Sequence, residues 1–200
     1  MTRLTQADLS DRNRTFEQRT TQELLHWAVE TFGDRVAAIS AMQRAGSVLC
    51  HIIASLKLEI PVLFVDTGVN FTETLQTRDL IASTYGLDVR TLNPARSMDE
   101  QTAELGILYL TPEGQQECCR LRKIEPLQQV ADDFDCFIGS LRRSEGGQRS
   151  ACPILAADPQ MNAIRLNPLV NFSDDQLAEY LENEDVITNP LHAQGFPTVG

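Results

Sequence analysis

Long apolar runs are missing from this sequence. Stretches such as PVLFV (61–65) are far too short to span a bilayer. The first twenty residues, MTRLTQADLSDRNRTFEQRT, are polar throughout and lack the apolar core of a secretory signal. A soluble, cytoplasmic protein without a membrane partner is therefore expected. Positive charge is scarce: 17 Lys and Arg stand against 28 Asp and Glu, a net charge of −11, which argues against general affinity for nucleic acid. A disulfide framework is lacking too, because the five cysteines are an odd number in a chain without a signal peptide. Neither G-x-x-x-x-G-K-S/T nor G-x-G-x-x-G occurs, so a Walker loop is excluded and a dinucleotide site is not indicated. What is present is an ordinary globular composition, 42% hydrophobic and 22% charged over 200 residues, enough for one domain with a full core.

Residues 1–20 read as a mobile arm or a peripheral helix, and residues 21–200 as one domain without internal repeat or dividing linker. TQELLHWAVETF (21–32) carries Leu24, Leu25, Ala28 and Val29 at helical spacing. RVAAIS (35–40) reads as a buried strand, AGSVLCHIIASLK (45–57) as a helix and PVLFVD (61–66) as a second buried strand. TETLQTRDLIASTYG (72–86) follows as a helix stopped by Gly86, then LDVRTL (87–92) as a third strand. This alternation implies right-handed crossovers, hence an α/β fold with a twisted, mainly parallel sheet and helices on both faces. The second half is less regular. MDEQTAELG (98–106) suits a short helix, and ECCRLRKIEPLQQVADDF (117–134) a helix broken before Pro126. DCFIGS (135–140) and AIRLNPL (163–169) supply further strands, and SDDQLAEYLENE (173–184) a helix capped by Ser173.

In an open parallel sheet, ligands sit at the carboxyl ends of the strands, and three loops converge there. Ser40, Gln43 and Gly46 belong to the first, SAMQRAG (40–46), where small residues at a helix N-terminus can cradle phosphate. An ordinary strand–helix connection would look the same. Asp66, Thr67 and Gly68 form the second; an aspartate ending an apolar strand suits ribose or adenine recognition, and equally a plain turn. In the third, GSLRRSE (139–145), Arg142 and Arg143 suit a bidentate grip on phosphate or sulfate oxygens. Both belong to a cluster with Arg120, Arg122, Lys123 and Arg149 that gathers six of the 17 basic residues into 30 positions. An acidic protein that binds a small anion concentrates its charge in this way; so does a solvated helix face followed by a polar loop.

Cys50 and Cys136 lie in apolar runs, VLCHII and DCFIG, as buried small hydrophobes do. Cys118 and Cys119 are different, because adjacent cysteines cannot easily bond to each other and cannot both face one core. Lys123 follows Cys119 by four residues, so on a helix its ammonium shares that face. A nearby cation stabilises thiolate, and thiolates ligate iron or zinc.

In their order along the chain, SAMQRAGSVL, VLFVDTG with FTETL, CCRLRKIEPL, FIGSLRRSE, RLNPLVNFSDDQLAEYL and NPLHAQGFPTVG resemble the assimilatory adenylyl-sulfate (APS) reductases, over roughly residues 30–200. The related phosphoadenylyl-sulfate (PAPS) reductases lack the double cysteine, which favours APS as substrate. The resemblance implies an adenine-nucleotide alpha-hydrolase-like fold and thioredoxin-dependent reduction of APS to sulfite and AMP in sulfate assimilation. It implies that Ser40 to Gly46 form a modified pyrophosphatase loop, that Asp66 to Gly68 lie in the nucleotide pocket, that Arg142 and Arg143 belong to the substrate loop, and that His192 lines the far side. Cys118 and Cys119 would be half the ligands of a [4Fe–4S] cluster, with Lys123 pairing electrostatically with cluster or substrate. In the family a tail thiolate attacks the sulfur of APS, AMP leaves, and thioredoxin releases sulfite from the resulting S-sulfocysteine. A homo-oligomer is compatible with this scheme.

The sequence departs from that pattern in places. After the arginines it reads Ser144-Glu145-Gly146-Gly147-Gln148-Arg149-Ser150, where the family has an acid followed by Gln-Ser, and Phe196 stands where the family has tyrosine. The family continues past the final glycine with C-x-x-C, the other two cluster ligands, and with a tail bearing the nucleophilic cysteine. Neither lies within Met1–Gly200, so the chain reads as truncated and, taken alone, inactive. Other readings stay open: a non-catalytic adenine-nucleotide-binding homologue, a PAPS reductase, or a zinc-structural cysteine pair with His192 or Cys152 as a further ligand. An ATP-dependent sulfur-transfer enzyme is disfavoured, because SAMQRAGS lacks the S-G-G-x-D-S loop that binds pyrophosphate.

Overall fold

The computed structural model describes residues 5–199; the first four residues of the N-terminal arm and the closing Gly200 lie outside the described part. In chain order the elements are α1 (Gln6–Phe16), α2 (Thr21–Phe32), β1 (Val36–Ile39), α3 (Arg44–Ser55), β2 (Val62–Val65), α4 (Thr72–Tyr85), β3 (Val89–Leu92) and α5 (Met98–Leu105). They continue with α6 (Pro112–Cys119), a π-helical turn (Arg120–Ile124), α7 (Glu125–Gln128), β4 (Cys136–Ile138), β5 (Leu155–Asp158), β6 (Ala163–Leu166) and α8 (Asp174–Asn183). The strands form one sheet in the order β3-β2-β1-β4-β6-β5. All neighbours run parallel except β5, which pairs antiparallel with β6 at the edge. No helix among the described residues is long and apolar enough to cross a membrane.

Burial on both faces explains why β1, β2 and β4 read as continuous apolar runs, not as alternating ones. Val36, Ala38, Val62, Phe64, Cys136 and Ile138 point into one core beneath α1–α4 and α8. Ala37, Leu63 and Phe137 point the other way, against Phe134, Met161, Ile124 and Leu127. Helix ends follow local chemistry. Thr20, Ser97 and Ser173 close capping boxes, and Gly86 ends α4 in the left-handed region.

Two features differ from the sequence reading, and a third narrows it. Of the two readings of residues 1–20, a mobile arm or a helix, the described part forms the helix: α1 buries Leu9 and Phe16 in the main core. The Asn13 side-chain amide docks it further, donating to Leu155 O at 2.8 Å while Leu155 N donates back at 2.9 Å. The helix around Cys118 begins earlier than expected, at Pro112 with Thr111 as its cap, and a separate short helix, α7, carries Pro126 in its first turn without a gap between them. The π-helical turn absorbs the proline: Glu125 N–H reaches back to Arg120 O, five residues earlier, and the widened turn makes room for a ring without an N–H. Strand β5 was not anticipated, because ILAADP carries little strand signal of its own.

Glu17, at the C-terminus of α1, forms a two-pronged ion pair with Arg143 at 2.7 and 3.0 Å. The hydrogen bond from Arg143 holds the Glu17 carboxyl below its ordinary value of 4.5. A lowered carboxyl contributes stability that is complete above the ordinary value and lost as pH falls through the lower folded-state value. Acidification below 4.5 is therefore expected to loosen α1. The single Trp27, edge-on to Phe16 at 4.9 Å, reports this by fluorescence. A Trp27 transition that is unchanged in Glu17→Gln would show that the pair does not hold the helix.

Candidate functional site

The carboxyl ends of β1, β2 and β4 feed the three loops singled out in the sequence. Ser40 follows β1 and is buried, its Oγ accepting from Met42 N at 3.2 Å. Met42 has φ 55, the left-handed region that a residue with a Cβ adopts at some cost, and its side chain is fully buried. Gly46 leaves a gap that nothing larger can fill: a Cβ there would lie 2.5 Å from Ser40 Oγ and 3.8 Å from Ser140 Oγ. The first and third loops therefore meet across this glycine. Gln43 is the N-cap of α3 but gives no side-chain cap, so the first-turn amides stay open, unlike those of α2, α5 and α8.

The second loop does make the turn that the sequence left open. Asp66 Oδ1 accepts from Gly68 N at 2.9 Å, and Thr67 is tied to Asn70. Gly68 has φ 73, and a Cβ there would meet Arg122 Nη2 at 2.9 Å. The close approach brings this loop against the tandem-cysteine helix.

Between them lies a cavity of about 190 Å³, lined by Thr67, Asn70, Cys118, Cys119, Arg122 and Lys123, with Thr198 and Val199 closing one side. Cys118 is half-buried; Cys119 and Lys123 are exposed. Arg122 was counted in the basic cluster but not chosen from sequence. It is only 3% exposed and has no carboxylate partner among the described residues. Its Nε donates to Thr67 O at 2.6 Å, and its Nη1 to Gln101 Oε1 at 3.1 Å and Arg96 O at 3.2 Å. Gln101 Nε2 in turn lies 3.6 Å from Cys118 Sγ, which links thiol and guanidinium through one buried amide. The spacing from Cys118 to Arg122 equals that from Cys119 to Lys123, so the signal was present in the sequence.

His192 is placed less directly. Its Nδ1 is 3.0 Å from Phe196 O and its Nε2 is buried without a hydrogen-bond partner among the described residues. It shapes the turn of the C-terminal segment, while Thr198 and Val199 reach the cavity. That segment is anchored on α4: Thr74 Oγ1 donates to Val199 O, Asn189 Nδ2 donates to Thr74 Oγ1 at 2.9 Å, and Phe71 stacks edge-on with Phe196 at 5.6 Å.

Arg142 and Arg143 are not brought into the cysteine cavity. Arg142 is 8% exposed and donates to Asp174 Oδ1 at 2.7 Å and Ser144 Oγ at 2.8 Å. Arg143 is held by Glu17, by Asn171 Oδ1 at 2.7 Å and by Cys152 O at 2.9 Å. Among the cysteines, Cys50 and Cys136 are fully buried, and burial pushes their thiols up to about 12, as for small hydrophobes in a core. Cys152 sits beside Asn167, whose Nδ2 is 3.5 Å from its sulfur. The described residues contain no group of three or more His, Cys, Asp or Glu placed to hold a metal ion, and the cavity lined by Cys118 and Cys119 is lined by neither His192 nor Cys152. Cys118 and Cys119 lie together in the lining of this cavity, beside the cations Arg122 and Lys123.

Residues 35–200 match the family model of the phosphoadenosine phosphosulfate reductase domain. The chain is 34% identical over 187 residues to an adenosine 5'-phosphosulfate reductase of Streptomyces coelicolor, covering 94% of this chain and 78% of that one. It is 33% identical over 196 residues to an adenosine 5'-phosphosulfate reductase of Mycobacterium tuberculosis, covering 90% and 77%. Its fold is that of a PAPS reductase from Candida auris solved as a phosphate complex, with a TM-score of 0.85 at 24% identity over 98% of this chain and 95% of that one. It also resembles Candida glabrata FMN adenylyltransferase bound to ATP, with a TM-score of 0.66 at 15% identity over 94% and 60%.

The close approach at Gly68 yields a paired test. Gly68 and Gly86 both need the left-handed backbone, but a Cβ at Gly86 meets nothing within 4 Å. Gly86→Ala is expected to lose ~1–2 kcal/mol from backbone strain alone. Gly68→Ala should lose more, because Arg122 must also shift. Urea midpoints decide the matter, and equal losses would remove the packing role assigned to Gly68.

Proposed function

The chain belongs to the phosphoadenosine phosphosulfate reductase domain family, whose function is sulfate reduction, and from that membership we propose that it binds adenylyl sulfate for thioredoxin-dependent reduction to sulfite and AMP. The observation that carries this reading is the cavity that joins Cys118, Cys119, Arg122 and Lys123 to the Asp66–Gly68 loop. One wall offers thiols and cations, and the other is the rim where an adenine nucleotide lies in folds of this kind. The names of the relatives and the double cysteine both support APS over PAPS as substrate.

In this reading Ser40, Gln43 and Gly46 form the floor for phosphate or sulfate oxygens. Asp66, Thr67 and Gly68 face the nucleoside, with the free oxygen of Asp66 suited to ribose hydroxyls. Lys123 is free to pair with the sulfate, and the C-terminal segment through His192 and Phe196 walls off water. Cys118 and Cys119 would hold one side of a [4Fe–4S] cluster, which would add a fixed field beside the sulfate. Its remaining thiolates are not among the described residues, and no step is assigned to it. The attacking thiol is likewise not among these cysteines, so the 200 residues alone are proposed to bind nucleotide without turning it over. An association between copies and a cytoplasmic setting accord with the reading.

Calorimetry with AMP, APS and PAPS tests the proposal. APS should bind more tightly than PAPS, as the double cysteine and the names of the relatives both favour. Lys123→Ala should weaken APS roughly tenfold, about the value of one charge-assisted contact, with a smaller effect on AMP. Iron and sulfide analysis of the anaerobically purified chain should find no stoichiometric cluster. Failure to bind AMP or APS at millimolar concentration would sink the nucleotide reading.

A further inference from the structure

We propose that Arg44, at the first position of α3, receives the anionic end of the nucleotide, the role that sequence reasoning gave to Arg142 and Arg143. The inference rests on the nucleotide reading and adds a binding residue to it. The charges at the rim support it. Arg142 pairs with Asp174 through Nη1 while its buried Nε has no hydrogen-bond partner among the described residues; Arg143 pairs with Glu17 and Arg149 with Glu145. Four of the five N–H groups of Arg143 are already used, on Glu17, Asn171 and Cys152 O, so it has no fork left to offer. Arg96 and Arg90 are likewise paired, with Glu104 and Asp88. Among the described residues at this end of the sheet, only Arg44, Arg122 and Lys123 lack a carboxylate. Arg122 and Lys123 line the cysteine cavity, whereas Arg44 is exposed and lies in the chain between Ser40 and Gly46.

Its position is also electrostatically wrong for a helix without a ligand. The N-terminus of a helix carries partial positive charge and favours acids, yet α3 has Arg44 there and no acidic residue in its first turn. Every other helix of eight residues or more has an Asp or Glu in that turn. In the same turn Ser47 Oγ is fully buried without a hydrogen-bond partner, and Gly46 holds open the space between Ser40 and Ser140. A cation, open amides and an unpaired hydroxyl in one turn are mutually unfavourable until an anion joins them. A phosphosulfate, with its linked phosphate and sulfate, supplies that anion.

The test uses opposite signs. In Arg44→Ala the free protein should melt no lower than wild type, because a repulsion is removed. Its AMP affinity should fall roughly tenfold, while adenosine affinity stays the same. Arg44→Lys should recover part of the AMP affinity. AMP affinity at the wild-type level in Arg44→Ala would overturn the assignment, and so would equal losses for AMP and adenosine, which would mean loop damage. If wild type binds neither nucleotide, the functional reading fails by itself. Titration with inorganic sulfate then decides Arg44: Arg44-dependent binding keeps the anion site, and Arg44-independent binding or none removes it.

Discussion

A guanidinium buried without a carboxylate organises the site end of this molecule. Taking an ion out of water costs several kcal/mol even after relaxation, and Arg122 recovers this through neutral acceptors alone. Those acceptors come from three different places: the carbonyl of Thr67 after β2, the carbonyl of Arg96 after β3, and the Gln101 side chain of α5. One side chain therefore fixes the tandem-cysteine helix against the sheet rim. It also dictates Gly68, since no Cβ fits beside its Nη2, and it orients Gln101, whose other end meets Cys118. Among the described residues no carboxylate cancels this charge, and the helix that carries it also carries Cys118 and Cys119.

Much of this was legible from residues. Helices α2, α3, α4 and α8 and strands β1 to β4 announce themselves through periodicity, caps and buried runs, because local chemistry and tertiary burial agree there. Cys118, Cys119 and Lys123 were legible through helical spacing, and the cavity gathers them together. The misses have physical causes. Strand β5 is short and sits at an edge, where its pairing with β6 and the cover from α1 decide its conformation, not its own propensity. Pro126 signals a helix break only while the helix has the α pitch; a π turn changes the rule.

The arginines teach a different lesson. Two adjacent guanidinium groups at a strand end look alike in sequence whether they hold a ligand or hold the fold. What the sequence does not show is where their carboxylates lie, and these are remote: Glu17 is 126 residues from Arg143, and Asp174 is 32 from Arg142. Long-range pairing of this kind leaves no local trace. The same holds for α1, whose polar sequence hides the two anchors, Leu9 and Phe16, that carry it into the core.

The amide of Asn13 has a consequence for how copies of this chain can meet. An edge strand offers unpaired N–H and C=O groups to any passing strand, and sheets extend from one molecule to the next through such edges. At Leu155 both groups are already taken by a side chain that imitates a neighbouring backbone. The sheet is thus terminated from within, by one residue of a surface helix that does the work of a strand it never forms. Continuous β-pairing with another chain is closed off at that point of the β5 edge.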